Sequence, residues 1–277
     1  MEHDQVQSQA HLKERVREYW NQASCGTEFI ESPKFSQAYF EDIEKFRYTT
    51  EPEIFSFAQF SRFHNKKVLE VGVGAGTDFM QWVRSGTLAH GIDISEEAIE
   101  NVRHRLALSQ LQATDIRVAD AENIPYENNS FDLVYSWGVI HHSPDTIKCL
   151  QEIIRVCKPG GKIKIMIYNR SSLFAFYRYL LAALLKGKPF RKIKSVLYYH
   201  QESPGTKAYT FKEVRKILAK LPVKTIELKA TVTKHDLLYY KSKPLQFFAY
   251  IAACLFGWNK VGWFMTLELE KDLEKKA

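Results

Sequence analysis

The 277-residue chain has few cysteines. Cys25, Cys149, Cys157 and Cys254 are scattered, with no Cys-x-x-Cys pair and no histidine at zinc spacing. That scatter excludes a disulfide framework and leaves no reason to expect a metal, so a reduced, cytoplasmic setting is the expectation. Long apolar runs are missing too. Leu173–Leu185 is broken by Arg178, and Leu245–Trp258 ends after 14 residues; both fall short of the roughly 20 residues that cross a bilayer. Residues 1–17 are polar and charged, unlike a secretory leader. No repeat recurs at a solenoid period. Acid is absent from one stretch: Arg170 to His200 holds seven Lys or Arg and no Asp or Glu. That surplus equals the whole chain's net charge of +7, so the remainder is balanced and no nucleic-acid partner is expected.

What is present suits a globular protein. Hydrophobic residues at 45% and charged residues at 26% are enough for one large domain with a full core. Residues 1–65 read as a helical prelude. Leu12, Val16, Tyr19 and Trp20 share one helical face. Ser36 to Arg47 makes a second helix with Tyr39, Phe40, Ile43 and Phe46 inward, and Pro52 starts a third. From Lys66 the pattern changes. Lys67–Val71, Leu88–Ile94, Ile116–Ala119, Phe131–Trp137 and Lys162–Tyr168 read as strands. Asp78–Arg84, Glu96–Leu108 and Asp145–Cys157 read as the helices between them. Strands apolar on both faces predict a parallel sheet buried under helices. Cys157 to Lys162 reads as the turn into the fifth strand. Further on, Thr210–Leu221 reads as a helix, and Val223–Lys229 and Gly262–Glu270 as strands.

The most informative run is Val68-Leu69-Glu70-Val71-Gly72-Val73-Gly74-Ala75-Gly76-Thr77. A short strand ends on a turn with glycine at every second position, and a helix follows. Glycine lets the chain turn sharply and lets a ligand lie directly on the backbone. The helix start offers N–H groups to a polar or anionic group. The spacing is not the G-x-G-x-x-G of dinucleotide folds. Here an acid, Glu70, precedes the glycines. Asp93 ends the second strand, where a carboxylate can accept from both ribose hydroxyls, and Asp120 ends the third. Open α/β sheets bind ligands at these carboxyl ends.

In these pieces the chain resembles the class I S-adenosylmethionine-dependent methyltransferases of the small-molecule (UbiE-like) type. The resemblance rests on Val68–Thr77, Gly91–Ser95, Ala119–Ala121, Phe131–Asp145 and Leu150–Lys162. It is strong over residues 60–170 and weaker beyond. It implies a doubly wound, Rossmann-like α/β fold with a seven-stranded mixed sheet whose last strand is antiparallel. It also implies S-adenosylmethionine as methyl donor and S-adenosylhomocysteine as product. The roles it implies fall on named positions. Glu70, Gly72, Gly74, Gly76 and Thr77 border the methionine part. Asp93 binds the ribose hydroxyls and Ile94 packs on the adenine. Asp120, with Ala121 beside it, faces the adenine amino group. Trp137 and Gly138 border the methionine moiety and the sulfonium.

Ser136 to Asp145 holds His141 and His142 at the strand end expected to lie nearest the donor. Imidazole can take a proton from a hydroxyl or ammonium nucleophile near neutral pH. His141 and His142 are therefore the candidate catalytic residues, with pocket lining or a helix cap at Pro144 as the plainer reading. On the flank, Arg15 to Asn21 resembles the N-terminal helix that covers the donor in this family, with Tyr19 placed to reach the methionine group or simply to fill the helix core. Arg47 reads as a surface arginine, with a donor-carboxylate contact as its other role.

These readings divide the chain into a helical lid (1–65), a donor-binding core (66–170), a cap inserted after the fifth strand (171–208) and a C-terminal completion of the core (209–277). The expected activity is methyl transfer to a small-molecule acceptor such as a natural product, with N-, O- and C-methylation left open. Two alternatives stay on the page. One is a membrane-surface enzyme for a lipid or quinone, suggested by the basic, aromatic cap and Leu245–Trp258. The other is a non-catalytic binder that keeps the fold. A homo-oligomer through an exchanged N-terminal helix is a further expectation.

Overall fold

Seven strands form one sheet in the order β3-β2-β1-β4-β5-β7-β6. In the computed structural model, which describes residues 2–239 and 241–273, β1 (Lys67–Val71) lies between β2 (Leu88–Asp93) and β4 (Phe131–Trp137). Beyond β2 comes β3 (Asp115–Val118), and beyond β4 comes β5 (Cys157–Tyr168), all parallel. β7 (Phe264–Lys271) runs antiparallel to both β5 and β6 (Val223–Thr231). The strand order reverses at β1 and β4, and a crevice opens there at the carboxyl ends. The seven-stranded mixed sheet expected from the sequence is thus the one observed.

The central strands are buried because helices cover both faces. On one face, α4 (Thr77–Arg84) and α5 (Glu96–Leu108) bring Phe79, Trp82, Ile99 and Val102 onto Val68, Leu133 and Tyr135. On the other, α6 (Thr146–Val156) and α9 (Phe211–Leu218) bring Leu150, Ile153, Val214 and Leu218 onto Leu69, Val134, Ile163 and Ile165. Local chemistry sets the helix starts. Ser95 caps α5, Asp145 accepts from Ile147 N and Lys148 N to cap α6, and Thr210 with Glu213 forms a capping box on α9.

Three sequence expectations shift. Residues 158–161, expected to be a turn, continue β5 as a bulge, with Gly160 at φ +74 and the register jumping between Phe131 and Leu133. Phe46, expected inward on α2 (Gln37–Thr50), is 37% exposed and packs on Phe29. The third helix, α3, is short (Glu53–Ala58), with Phe55 exposed.

The N-terminal helices close over the carboxyl edge. α1 (Glu2–Gln22) lies along α5 of its own chain, tied by Arg17 to Glu96 and by Asn21 to Glu96 at 3.0 Å. Lys164 of β5 secures α3 from below. It is 1% exposed, and its Nζ donates to Phe57 O at 2.6 Å and Gln59 Oε1 at 3.0 Å. Burial lowers its pKa, with Glu268 partly opposing. Lys164→Met leaves that carbonyl without its donor, and we expect a loss of about 1–3 kcal/mol in urea unfolding; unchanged stability contradicts the strut role.

Candidate functional site

The turn after β1 builds the floor of the main cavity. Gly72, Gly74 and Gly76 all have positive φ, at +84, +50 and +76. A Cβ at Gly72 would stand 2.1 Å from Val139 Cγ2, so the turn must be glycine to pass under the β4–α6 loop. A Cβ at Gly74 meets nothing within 4 Å and would project into the open space a ligand needs. Gly76 is the N-cap of α4 and stands outside the cavity wall, whereas Thr77 lines it.

The cavity holds about 1310 Å³, part of it open to solvent. Glu70, Asp93, Ile94, Asp120, Ala121, Trp137, Gly138 and His142 line it, with Arg47, Glu51 and Trp20 from the N-terminal helices. Of the expected site residues, only Tyr19, Gly76 and His141 stand outside the wall. Tyr19 is 36% exposed and packs edge-on against Trp20, and it is Trp20 that reaches the cavity. Of the face expected to hold Leu12, Val16, Tyr19 and Trp20, Val16 and Trp20, four apart, line the cavity and Tyr19 does not.

Burial raises the pKa of both Glu70 and Asp93. Glu70 is 3% exposed and its Oε2 has no hydrogen-bond partner. Burial, reinforced by the charge of Asp78, pushes its pKa well up. Asp93 accepts from Gly74 N at 3.1 Å, Ser95 N at 3.0 Å and Ser95 Oγ at 2.9 Å. A carboxylate has about four acceptor positions, so room remains for a hydroxyl donor. Asp120 carries a partner the sequence did not suggest: Lys13 of α1 reaches Asp120 Oδ2 at 2.6 Å and Glu122 Oε2 at 2.5 Å.

At the other end lies a charge cluster that sequence reasoning mostly missed. Arg47, expected on the surface, instead lies 3.2 Å from Asp78 Oδ2 and 3.4 Å from Glu51 Oε2. Burial opposes its charge, but Glu51 and Asp78 outweigh burial and hold its pKa well above the ordinary value. Tyr48 and Tyr135 donate to Asp78 at 3.2 and 2.9 Å, and Trp137 Nε1 donates to Glu51 at 2.7 Å. The one sequence signal for this cluster was the Arg47-Tyr48 pair.

The two histidines part company. His141 is fully buried, has no partner on either ring nitrogen and packs on the Tyr168 ring at 3.9 Å. It does not reach the cavity. His142 does, beneath the Trp20 ring at 5.3 Å. Its Nδ1 lies 2.8 Å from Ser203 Oγ and 3.0 Å from Thr206 Oγ1. Thr206 Oγ1 donates its own proton to Ser203 O at 2.7 Å, so it can only accept from Nδ1. A proton on Nδ1 satisfies that contact; Nε2 is buried without a hydrogen-bond partner, 3.4 Å from Glu202 Oε2. The helix cap, one of the plainer roles considered for the pair, belongs to Asp145.

Among the described residues, no group of three or more His, Cys, Asp or Glu is placed to hold a metal.

With this geometry in view, comparison with known proteins is decisive for the core. The family described as "Methyltransferase domain" matches residues 69–165. Residues 69–165 are thus similar to a methyltransferase domain. That segment contains the glycine turn, Asp93, Asp120 and both histidines. The chain is 36% identical over 104 residues to phosphoethanolamine N-methyltransferase 2 of Caenorhabditis elegans, covering 37% of this chain and 24% of that protein. It is 30% identical over 124 residues to demethylmenaquinone methyltransferase of Bacillus mycoides (strain KBAB4), covering 42% and 52%. The chain therefore spans about a quarter to a half of the length of these relatives. A solved SAM dependent methyltransferase from Aquifex aeolicus superposes with a TM-score of 0.53 at 16% identity, over 86% of this chain and 100% of that one. At that identity the likeness speaks for the fold, which is the class I methyltransferase fold.

Burial, then the charge of Lys207, pushes His142 from 6.5 down to about 3. The unfolded chain takes up this proton below about pH 6.5, the folded chain only near 3. The contribution of this residue to stability is therefore complete above pH 6.5 and is lost as pH falls. By about pH 5 the loss is about 2 kcal/mol. In urea unfolding across that range, His142→Gln should lose correspondingly less than the native chain; parallel losses contradict the buried neutral imidazole.

Proposed function

We propose that the chain is an S-adenosylmethionine-dependent methyltransferase acting on a small-molecule acceptor. The observation that carries this reading is one cavity with open space at Gly74, lined by Asp93, which keeps spare acceptor capacity, and by Glu70, whose Oε2 has no partner. A cationic amino acid joined to a ribose and an adenine matches that order of groups. Bound there, the donor supplies an activated sulfonium methyl.

The residues of the chain would divide the work as follows. Asp93 takes the ribose hydroxyls on the acceptor capacity that Ser95 and Gly74 leave open. Ile94 and Ala121 offer apolar surface for the adenine. Asp120 meets the adenine amino group while sharing Lys13, so α1 and the base close the site together. Glu70 and the Arg47–Asp78–Glu51 cluster offer charges of both signs to the amino and carboxylate groups of the methionine part. Trp20, Trp137 and the β4–α6 loop keep water from the reacting centre, and alignment with desolvation does much of the work for an already activated methyl group.

His142 is the candidate base. Neutral at physiological pH, it lines the cavity, with Nε2 3.4 Å from Glu202 Oε2 and with Ser203 and Thr206 holding the ring at Nδ1. A pKa of about 3 makes it a weak base near neutral pH, so it serves only a nucleophile that gives up its proton late, as the new bond to carbon forms. Phosphoethanolamine and demethylmenaquinone stand in the names of two relatives and exemplify the proposed class of acceptor, a small molecule.

Two substitutions test the division of labour. Asp93→Ala should weaken donor affinity about tenfold or more in calorimetric titration, the value of a charged hydrogen bond. His142→Ala should leave that affinity in place and lower turnover about 10²-fold or more with labelled donor and an acceptor found in source-cell extract. Full donor affinity in the first variant, or full turnover in the second, overturns the respective role.

A further inference from the structure

One helix has no place in the donor site and almost no place in the core. α10 (Lys243–Phe256) touches the rest of the chain through a narrow stripe, with only Ala249 and Ala253 buried. Around the rest of its girth Phe247, Phe248, Leu255 and Phe256 are 61–75% exposed, with Tyr250 and Ile251 beside them. A helix apolar on nearly all sides belongs either inside a protein or in lipid. At 14 residues it is about 21 Å long, too short to span a bilayer and long enough to lie in its interface. Among the described residues, no helix is long and apolar enough to cross a membrane.

α7 (Leu173–Ala182) packs beside it and repeats the pattern. Only Ala175 is buried, Phe176 is 59% exposed, and in the following loop Leu185 and Phe190 are 69% and 97% exposed. Charge supplies the second, independent observation. Residues 170–200 carry seven basic residues and 237–260 carry three, Lys241, Lys243 and Lys260, with no acid in either stretch. Lys186, Lys188 and Lys192 are exposed between α7 and α8 (Ile193–His200), and Lys194 is exposed in the first turn of α8. A surface at once apolar and wholly basic fits acyl chains beneath anionic headgroups. A second copy of the chain would have to bring like charges together.

We propose that α7, α10 and the basic segment between α7 and α8 form a docking surface for an anionic lipid bilayer. Topology gives the consequence. α7 follows directly from the end of β5, and α10 leads into the start of β7, where Tyr168 pairs with Phe264. Both helices therefore stand at the sheet end that carries the cavity, and docking holds that end against the lipid. The inference does not depend on which acceptor is methylated, or on methyl transfer at all.

The test is co-sedimentation of the full chain with two kinds of vesicle: phosphatidylcholine alone, and two parts phosphatidylcholine to one part phosphatidylglycerol. Binding is expected to the anionic vesicles and to weaken with added salt. Phe247→Ser/Phe248→Ser and Lys186→Gln/Lys188→Gln/Lys192→Gln should each lower it about tenfold. All five side chains are exposed, so circular dichroism should stay native. A readout on the otherwise native chain guards against misfolded variants: brominated lipid should quench tryptophan emission, and Trp258→Phe should remove that quenching. The proposal is overturned by absence of binding to anionic vesicles, by binding that both multiple variants retain, or by a self-associated chain that the Phe variant dissociates while vesicles stay unbound.

Discussion

Arg47 is the charge on which the site depends. It stands among Asp78, Glu51 and the nearby Glu70, at a sheet edge where water is largely excluded. Without it, two or three carboxylates would face one another in a low-dielectric space, and some would have to take up protons. Its position also ties the N-terminal helices to the sheet: Arg47 and Glu51 belong to α2 and its end, Asp78 to α4, and Trp137 on β4 completes the link through Glu51. Breaking one member of such a cluster leaves its partners buried and unpaired, which costs far more than the pair contributes when whole. The N-terminal helices are therefore held by the same charges that the proposed methionine part would meet.

The second constraint is backbone shape. The turn after β1 has to pass beneath Val139 and still leave room above Gly74, and only glycine satisfies both. The structure spends its conformational freedom there and recovers order around it, through the Asp93 carboxylate bonded to Gly74 and Ser95. On the far side, Ser203 and Thr206 of the segment between α8 and α9 hold His142, and Lys207 N bonds His141 O at 3.0 Å. The N-terminal helices, the glycine turn and the β4–α6 loop thus converge from three parts of the chain on one cavity.

Much of this was legible in the sequence, for identifiable reasons. The strands of the core are short runs apolar on both faces, and Lys67–Val71 and Phe131–Trp137 have the bounds expected. The glycine spacing and the acids at strand ends are local signals, so they placed Glu70, Gly72, Gly74, Asp93 and Asp120 together before any fold was known. What escaped depends on contacts far apart in the chain. Nothing near Lys13 says that it will reach Asp120, and nothing near Ser203 says that it will orient His142. Tyr19 and Trp20 are adjacent and both aromatic; a small rotation of α1 decides which faces inward. His141 and His142 are likewise indistinguishable by type, yet one turns to the Tyr168 ring and the other to the cavity. Arg47 read as a surface residue because arginine usually is one. α10 announced its composition but not its exposure, which only packing could reveal.

The central claim is that the edge formed by the glycine turn, Asp93 and Asp120 receives an adenosyl ligand. A crystal structure of the chain grown with S-adenosylhomocysteine tests it most directly. The account predicts density running along the Gly72–Gly76 turn, with the ribose hydroxyls on Asp93 and the adenine between Ile94 and Ala121. Density elsewhere on the molecule, or a cavity left without ligand at saturating concentration, would contradict it.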